Sequence, residues 1–125
     1  MIFWNRRVWL CLAALNGLLA VGFGAFAAHG IDDPKAAEWL RTGSTYAFIH
    51  SFAIFAAALV ASLGAHRARW APGFFLAGAL LFSGSLYAMA FGAPRWLGMI
   101  TPLGGLSFMI GWAVLAWASL SLQAD

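Results

Sequence analysis

Four long apolar stretches, separated by short polar segments, dominate the pattern of this chain. They cover residues 8–28, 43–63, 71–91 and 103–122, and none contains Lys, Arg, Asp or Glu. A helix needs roughly 20 such residues to cross a hydrocarbon core about 30 Å thick. The pattern therefore predicts four transmembrane helices. The stretches show no alternation of apolar and polar residues, which argues against a membrane β-barrel.

The second helix is expected to begin before its uncharged stretch. Asp33 is of a type that caps helix N-termini, and Pro34 suits the first helical position. Glu38 and Arg41 would follow on a polar turn, three positions apart, where they can pair. The sequence thus predicts an all-α integral membrane protein, a four-transmembrane-helix bundle in a single membrane domain over residues 1–125. Its helices are expected at approximately 8–28, 34–63, 71–91 and 103–122.

The composition excludes a water-soluble globule. Of the 125 residues, 63% are hydrophobic and 9% are charged, with a mean hydropathy of +0.84, whereas soluble domains carry about 25% charged residues. No basic stripe interleaves with aromatic residues, so the expected partner is the lipid bilayer and not a nucleic acid. The single cysteine, Cys11, lies in the first span as a small apolar filler, which leaves no disulfide framework or zinc cluster.

Basic residues in the flanks indicate the orientation, because Lys and Arg favour the cytoplasmic side of a membrane. The end of the bundle with both termini has four of them (Arg6, Arg7, Arg67 and Arg69), and the opposite end has three (Lys35, Arg41 and Arg95). We therefore expect both termini in the cytoplasm.

The first span also resembles a secretory signal peptide. Two arginines precede an apolar run that ends in Ala25-Phe26-Ala27, a sequence of the type that signal peptidase cleaves. The run is longer than the usual apolar region of about 7–15 residues. We therefore expect this segment to be retained as a transmembrane helix.

Small residues recur every four positions along each predicted helix. This spacing lets helix backbones approach closely in lipid, either within one bundle or between protomers. The stripes are Ala20, Gly24 and Ala28; Ala53, Ala57, Ala61 and Ala65; Gly84, Ala88 and Gly92; and Ser107 with Gly111.

The polar residues of the spans gather in one half of the bilayer, which is the outer half in the expected orientation. Asn16, near the middle of the first helix, is the main exception. Thr42, Tyr46 and His50 are spaced at i, i+4 and i+8, so they form one stripe on the second helix. The candidate ligand-binding residues of this outer half are His50, Tyr46, Ser83, Ser85, Tyr87, Thr101 and His29.

A neutral imidazole at the depth of His50 needs hydrogen-bond partners for both nitrogens. Tyr46, Ser83, Ser85, Tyr87 or a backbone carbonyl could supply them. The outer residues then form either an interhelical hydrogen-bond network that fixes the bundle or a small polar pocket for a ligand, a lipid headgroup or a proton. A metal or haem site between His29 and His50 has thin support without a nearby acid or thiol, so we expect no metal and no cofactor.

The chain contains no motif of known catalysis. Nucleophile elbows, zinc-binding helices and nucleotide-binding loops are all absent from the sequence. Buried Asp and Glu, the usual proton carriers of pumps, are missing from the four spans, which argues against an ion-coupled transporter. We expect no catalytic residue.

Four ordered motifs are specific enough to suggest a family. They are residues 24–30 (GAFAAHG), Thr42-Gly43 with Tyr46 and His50, residues 81–87 (LFSGSLY), and residues 100–105 (ITPLGG) with Gly111-Trp112. Over nearly the whole chain they resemble the domain-of-unknown-function 423 family, with one departure, Ala27, where the family usually has glycine. The resemblance implies a small multi-helix protein of the bacterial plasma membrane (inner membrane) or of related organelle membranes. It brings no established reaction, so no catalytic residue follows from it.

These observations favour a non-enzymatic integral membrane protein with a structural or accessory role, which associates with itself or with a larger membrane complex. The alternative is a small-molecule or lipid-binding protein, or a minimal transporter, with its polar site in the outer half of the bundle. A membrane enzyme that uses His50 or Tyr87 as an acid or base is a third reading.

Overall fold

Four antiparallel helical spans form the protein, as the sequence predicts. The computed structural model describes residues 4–125, so the first three residues of the predicted domain lie outside the described range. The described chain is helical, without strands, and its four spans are each 24 to 29 residues long and apolar enough to cross a membrane. The helices are α1 (Arg6–His29), α2 (Pro34–Ser62), α3 (Ala71–Gly78), α4 (Gly84–Ala90) and α5 (Thr101–Ser119).

The third and fourth spans are each built from more than one helical segment. The third span consists of a 3₁₀ helix (His66–Trp70), α3, a π turn (Ala79–Ser83) and α4. The fourth consists of a second 3₁₀ helix (Arg95–Met99) followed by α5. The segments predicted as loops before these spans are therefore largely helical.

The start of α2 agrees with the capping signal in the sequence. The Asp33 carboxylate accepts hydrogen bonds from the backbone N–H groups of Lys35 and Ala36, both at 3.3 Å, and Pro34 occupies the first turn. Glu38 pairs with Lys35 at 3.6 Å, on an exposed surface, instead of with Arg41. Both pairings are three residues apart, so the spacing alone did not distinguish them.

A seam of small residues joins α1 to α2. Ala13, Ala20 and Ala27 follow one another at intervals of seven residues and are each at most 4% exposed. Beside them, a Cβ atom added at Gly24 would lie 2.7 Å from the Ser44 hydroxyl, so the two backbones are close. A seven-residue repeat keeps a seam facing its partner in left-handed packing. The seam used within the chain therefore has a spacing of seven residues and includes the family departure Ala27, whereas Ala28 of the predicted four-residue stripe is exposed.

The third and fourth spans pack closely where phenylalanine residues lie against glycines. At each of three glycines, an added Cβ atom would lie less than 3.0 Å from the residue opposite, which leaves room only for hydrogen. The rings of Phe75 and Phe108 lie on Gly111 and Gly78, and the backbone of Phe82 lies on Gly104. Phe82 belongs to the π turn, where the Gly84 N–H donates to the Ala79 carbonyl five residues back.

The second helix, α2, occupies the centre of the arrangement. It packs against α1, against the third span and against α5, and its residues Ala53, Ile54, Ala57 and Ala61 form the core with Phe75 and other buried residues. By contrast, α1 packs mainly on α2. It reaches the third span near the end of α4, where the Phe23 ring lies 4.1 Å from the Tyr87 ring and 5.9 Å from the Phe91 ring, centre to centre.

Candidate functional site

Both ring nitrogens of His50 are hydrogen-bonded within the protein. Nδ1 lies 2.6 Å from the Tyr46 backbone carbonyl, and the Trp112 indole N–H points at Nε2 over 3.1 Å. An indole nitrogen can only donate, so Nε2 accepts and the proton sits on Nδ1, which donates to the carbonyl. The backbone carbonyl was among the partners expected from the sequence. Trp112 was not, although a tryptophan at midspan needs an acceptor for its N–H.

Aromatic rings enclose the His50 imidazole, which is 4% exposed. The Phe108 ring stacks on it at 3.5 Å between centres and an interplanar angle of 9°. Phe75 contributes a tilted ring at 5.6 Å, and Trp112 presents an edge at 5.9 Å. The imidazole is therefore a packed core group that joins α2 to α5 and to the third span.

Tyr46 stands at the edge of this group. Its ring is nearly parallel to the imidazole at 6.4 Å and lies 4.7 Å from the Phe82 ring, yet the residue is 44% exposed. Tyr46 and His50, two members of the stripe predicted on α2, thus both place their rings near Phe108 of the fourth span. Tyr46 is the member of the pair that reaches the surface of the bundle.

The serines of the third span form hydrogen bonds with other helices, at positions separate from His50. The Ser83 hydroxyl donates to the Gly43 carbonyl of α2 at 2.7 Å, and the Ser85 hydroxyl lies 2.5 Å from the Thr101 hydroxyl at the start of α5. In the described part of the chain, no hydrogen bond joins His50 to either serine. The two serines therefore form separate links from the third span to its two neighbours.

Tyr87 has a buried hydroxyl that lies near the Ser83 hydroxyl but makes no well-formed hydrogen bond with it. Its ring packs on Phe23 and across Gly43, where an added Cβ atom would lie 2.8 Å from the ring. Within residues 4–125, the hydroxyl oxygen has neither accessible surface nor a hydrogen-bond partner. Such groups are rare in folded proteins, because each loses its bonds to water without compensation.

His29 lies apart from the other six candidate residues. It is the last residue of α1 and is exposed, and no hydrogen bond or ring contact among the described residues links it to His50. Across residues 4–125 there is no group of three or more His, Cys, Asp or Glu side chains placed to hold a metal ion. The seven predicted site residues are thus distributed over several interhelical contacts and one exposed helix end.

Two polar residues outside the predicted set tie α1 to α2. The Asn16 amide donates to the Ala47 carbonyl at 2.8 Å and to the Ser51 hydroxyl at 2.7 Å, and the Ser44 hydroxyl donates to the Ala20 carbonyl at 2.6 Å. Asn16 stood out in the sequence as the polar residue that did not fit the outer half. Its depth matches that of Ser51, and this match is the signal that could have paired them.

Comparison with known proteins finds relatives of similar length. The model of the family described as "Protein of unknown function (DUF423)" matches residues 23–105. A UPF0382 membrane protein of Haemophilus influenzae is 46% identical over 122 residues, which cover 95% of this chain and 98% of the relative. No solved structure matches the chain.

Relatives that match over a similar share of the chain occur in two further bacteria. The UPF0382 membrane protein YwdK of Bacillus subtilis is 39% identical, over 91% of this chain and 97% of its own length. The UPF0382 inner membrane protein YgdD of Escherichia coli is 35% identical, over 95% of this chain and 94% of its own length. The family match and these relatives together show that the chain is a membrane protein and belongs to the DUF423 family.

Proposed function

We propose that this protein is a non-enzymatic, structural or accessory component of its membrane, which works in association with copies of itself or with a larger membrane complex. The observation that carries the proposal is the pairing of His50, whose two nitrogens are both bonded to protein groups. A general acid or base needs a nitrogen free to reach a substrate. His50 has none without breaking one of these two bonds, of which the one from Trp112 joins two helices.

The remaining polar groups of the spans support the same proposal. The side chains of Asn16, Ser83 and Ser107 each donate to a backbone carbonyl of another helix. In a membrane such bonds contribute about 0.6 kcal/mol each on average, so several together fix the relative positions of the helices. A scaffold held in this way presents a constant surface to a partner.

The partner-binding surface belongs to the outer helices under this proposal. In the most apolar part of the first span 17% of residues are buried, and in the fourth span 22%, against 44% in the second. The buried stripes of small residues serve contacts inside the chain, so association would use the exposed apolar residues of α1 and α5. Examples are Leu18 and Leu19 on α1 and Met109 on α5.

Native mass spectrometry of the tagged protein, extracted gently from its own membrane at native expression level, tests the proposal. We expect a stoichiometric partner protein or a defined oligomer. Leu19→Ala on the exposed face of α1 should weaken the association, whereas Ser121→Ala outside the helices should leave it unchanged. A protein recovered solely as a monomer, in every gentle extraction, would contradict the accessory role.

A second candidate function is binding of a small molecule or lipid in the outer half, and the unpaired Tyr87 hydroxyl favours it. A ligand with a hydrogen-bonding group at that point would satisfy the oxygen. The same spectra test this function: a defined small mass should accompany the wild-type protein and disappear on Tyr87→Phe. Tyr46→Phe changes a hydroxyl at the exposed edge and serves as the matched control.

For the orientation, we propose that both termini lie in the cytoplasm. The support is the four arginines at that end of the bundle, against three basic residues and three acids at the other. Fusion of a reporter active only in the cytoplasm to Asp125 should give signal. Fusion of a reporter active only outside the cytoplasm should give none, and the reverse result would invert the topology.

A further inference from the structure

A pocket with two arginines opens at the end of the bundle that carries both termini. Its volume is about 310 Å³, and it lies where the start of α1, the end of α2 and the start of the third span meet. Its lining residues are Trp4, Arg6, Ala58, Ala61, Ser62 and Arg69. Within the described range the lining contains two positive charges and no acidic side chain.

Arg69 has a buried N–H group that the protein does not satisfy. Its Nε atom has no accessible surface and no hydrogen-bond partner within residues 4–125. The ion pair found in that range, Lys35 with Glu38, lies at the opposite end of the bundle. Leaving a charged donor buried and unpaired costs more than about 1–3 kcal/mol. Among residues 4–125, no acidic side chain pairs with the Arg69 guanidinium, so its positive charge is available to an anion in the pocket.

The neighbouring Arg67 provides a useful contrast. Its guanidinium lies over the Trp117 ring, 4.4 Å from the ring centre, where a cation–π interaction stabilises it. Arg67 is also absent from the pocket lining. The two arginines share one short helix, one membrane level and one charge, but Arg69 alone of the pair lines the pocket.

We propose that this pocket binds a phosphate group, supplied by an anionic phospholipid or by a small soluble phosphate ester. Guanidinium groups match phosphate oxygens with paired N–H donors. Trp4 in the lining is a residue type that lies at the level of the lipid headgroups. Ala58 lies one helical turn before the end of α2, so the pocket extends about 6 Å further into the membrane. A volume at the lower end of the usual 300–1,000 Å³ of ligand sites fits a phosphate with its ester group, but no acyl chains.

Native mass spectrometry from lipid nanodiscs tests the site. Wild-type protein, Arg69→Gln and the control Arg67→Gln would be placed in phosphatidylcholine discs with one fifth phosphatidylglycerol. The wild type should retain one phosphatidylglycerol molecule in preference to phosphatidylcholine. Arg69→Gln should lower that preference about tenfold or more, as loss of a charged hydrogen bond predicts. Arg67→Gln removes the same charge and should keep the preference.

A second arm distinguishes the source of the phosphate. In neutral detergent, glycerol 3-phosphate or inorganic phosphate should raise the melting temperature of the wild type and not of Arg69→Gln if the ligand is soluble. Without that shift, retention of phosphatidylglycerol assigns the site to lipid. If Arg69→Gln fails to fold, Arg6→Gln, which alters an exposed residue of the same pocket, should also lower binding. Equal losses in Arg69→Gln and Arg67→Gln, or no selective binding in either arm, would overturn the proposal.

Discussion

Replacing Gly104 by alanine should loosen the contact between the third and fourth spans. The added Cβ atom would lie 2.7 Å from Cβ and 2.8 Å from Cα of Phe82, and closer still to its backbone nitrogen. An ordinary contact of this kind needs 3.4 Å or more. The atoms in the way belong to helix backbone, which has no rotamer change available. Relief therefore requires that α5 moves away from the third span.

The adjacent Gly105 provides a matched control for the size of this effect. An alanine Cβ there would lie 3.9 Å from the Phe82 ring, an ordinary contact. Overpacking costs about 1–3 kcal/mol, while Gly-to-Ala in a helix gains up to about 1 kcal/mol. Gly104→Ala should therefore be destabilised, and Gly105→Ala should be neutral or more stable. We expect their free energies of unfolding to differ by about 2 kcal/mol.

Unfolding in mixed micelles, titrated with sodium dodecyl sulfate and followed by circular dichroism, measures this difference. Both variants have the same composition, so micelle effects cancel between them. If Gly104→Ala were as stable as Gly105→Ala, the two spans would not be as close at Gly104 as the structure has them. That result would refute the close approach of the Phe82 backbone to α5.

Further substitutions test the other contacts by the same unfolding assay. Trp112→Phe keeps a smaller aromatic ring but leaves His50 Nε2 without its donor, so stability should fall by about 1–2 kcal/mol; no loss would mean that the indole N–H is dispensable. Asn16→Ala removes two hydrogen bonds to α2 and should cost about 1 kcal/mol, and an unchanged midpoint would contradict their role. Gly24→Ala should destabilise by about 1–3 kcal/mol because its Cβ atom would meet the Ser44 hydroxyl of α2. Gly22→Ala, whose Cβ atom would meet nothing within 4 Å, should not destabilise, and equal effects would argue against the close seam between α1 and α2.

The architecture was largely accessible from the sequence, because the membrane restricts what an apolar chain can form. Long uncharged stretches leave the backbone no partner but itself, so four of them become four helices. The capping of α2 by Asp33 was equally readable, since it depends on residues three positions apart or fewer. Signals of this kind depend on residues close in sequence, so they can be read without knowing how the helices pack.

The partners of the polar residues were harder to predict. His50 was singled out correctly as a residue that needs two bonds, but its second partner, Trp112, lies 62 residues away in a different span. Which helix faces which is decided by packing of rings on glycines, and many glycines could serve. The π turn was likewise invisible, because nothing in residues 79–83 distinguishes it from an ordinary helix. The prediction of one ligand-binding cluster in the outer half stays a prediction.

The order in which hydrogen bonds become available has a consequence for how the chain matures during synthesis. The first two spans form a helical hairpin whose internal contacts are complete on their own: Asn16 finds Ser51 before the second half of the chain exists. His50 and the Gly43 carbonyl, in contrast, face outward from that hairpin until Trp112 and Ser83 arrive. Insertion would thus proceed as two hairpins. The first hairpin forms its hydrogen bonds to Trp112 and Ser83 only when the second hairpin packs against it.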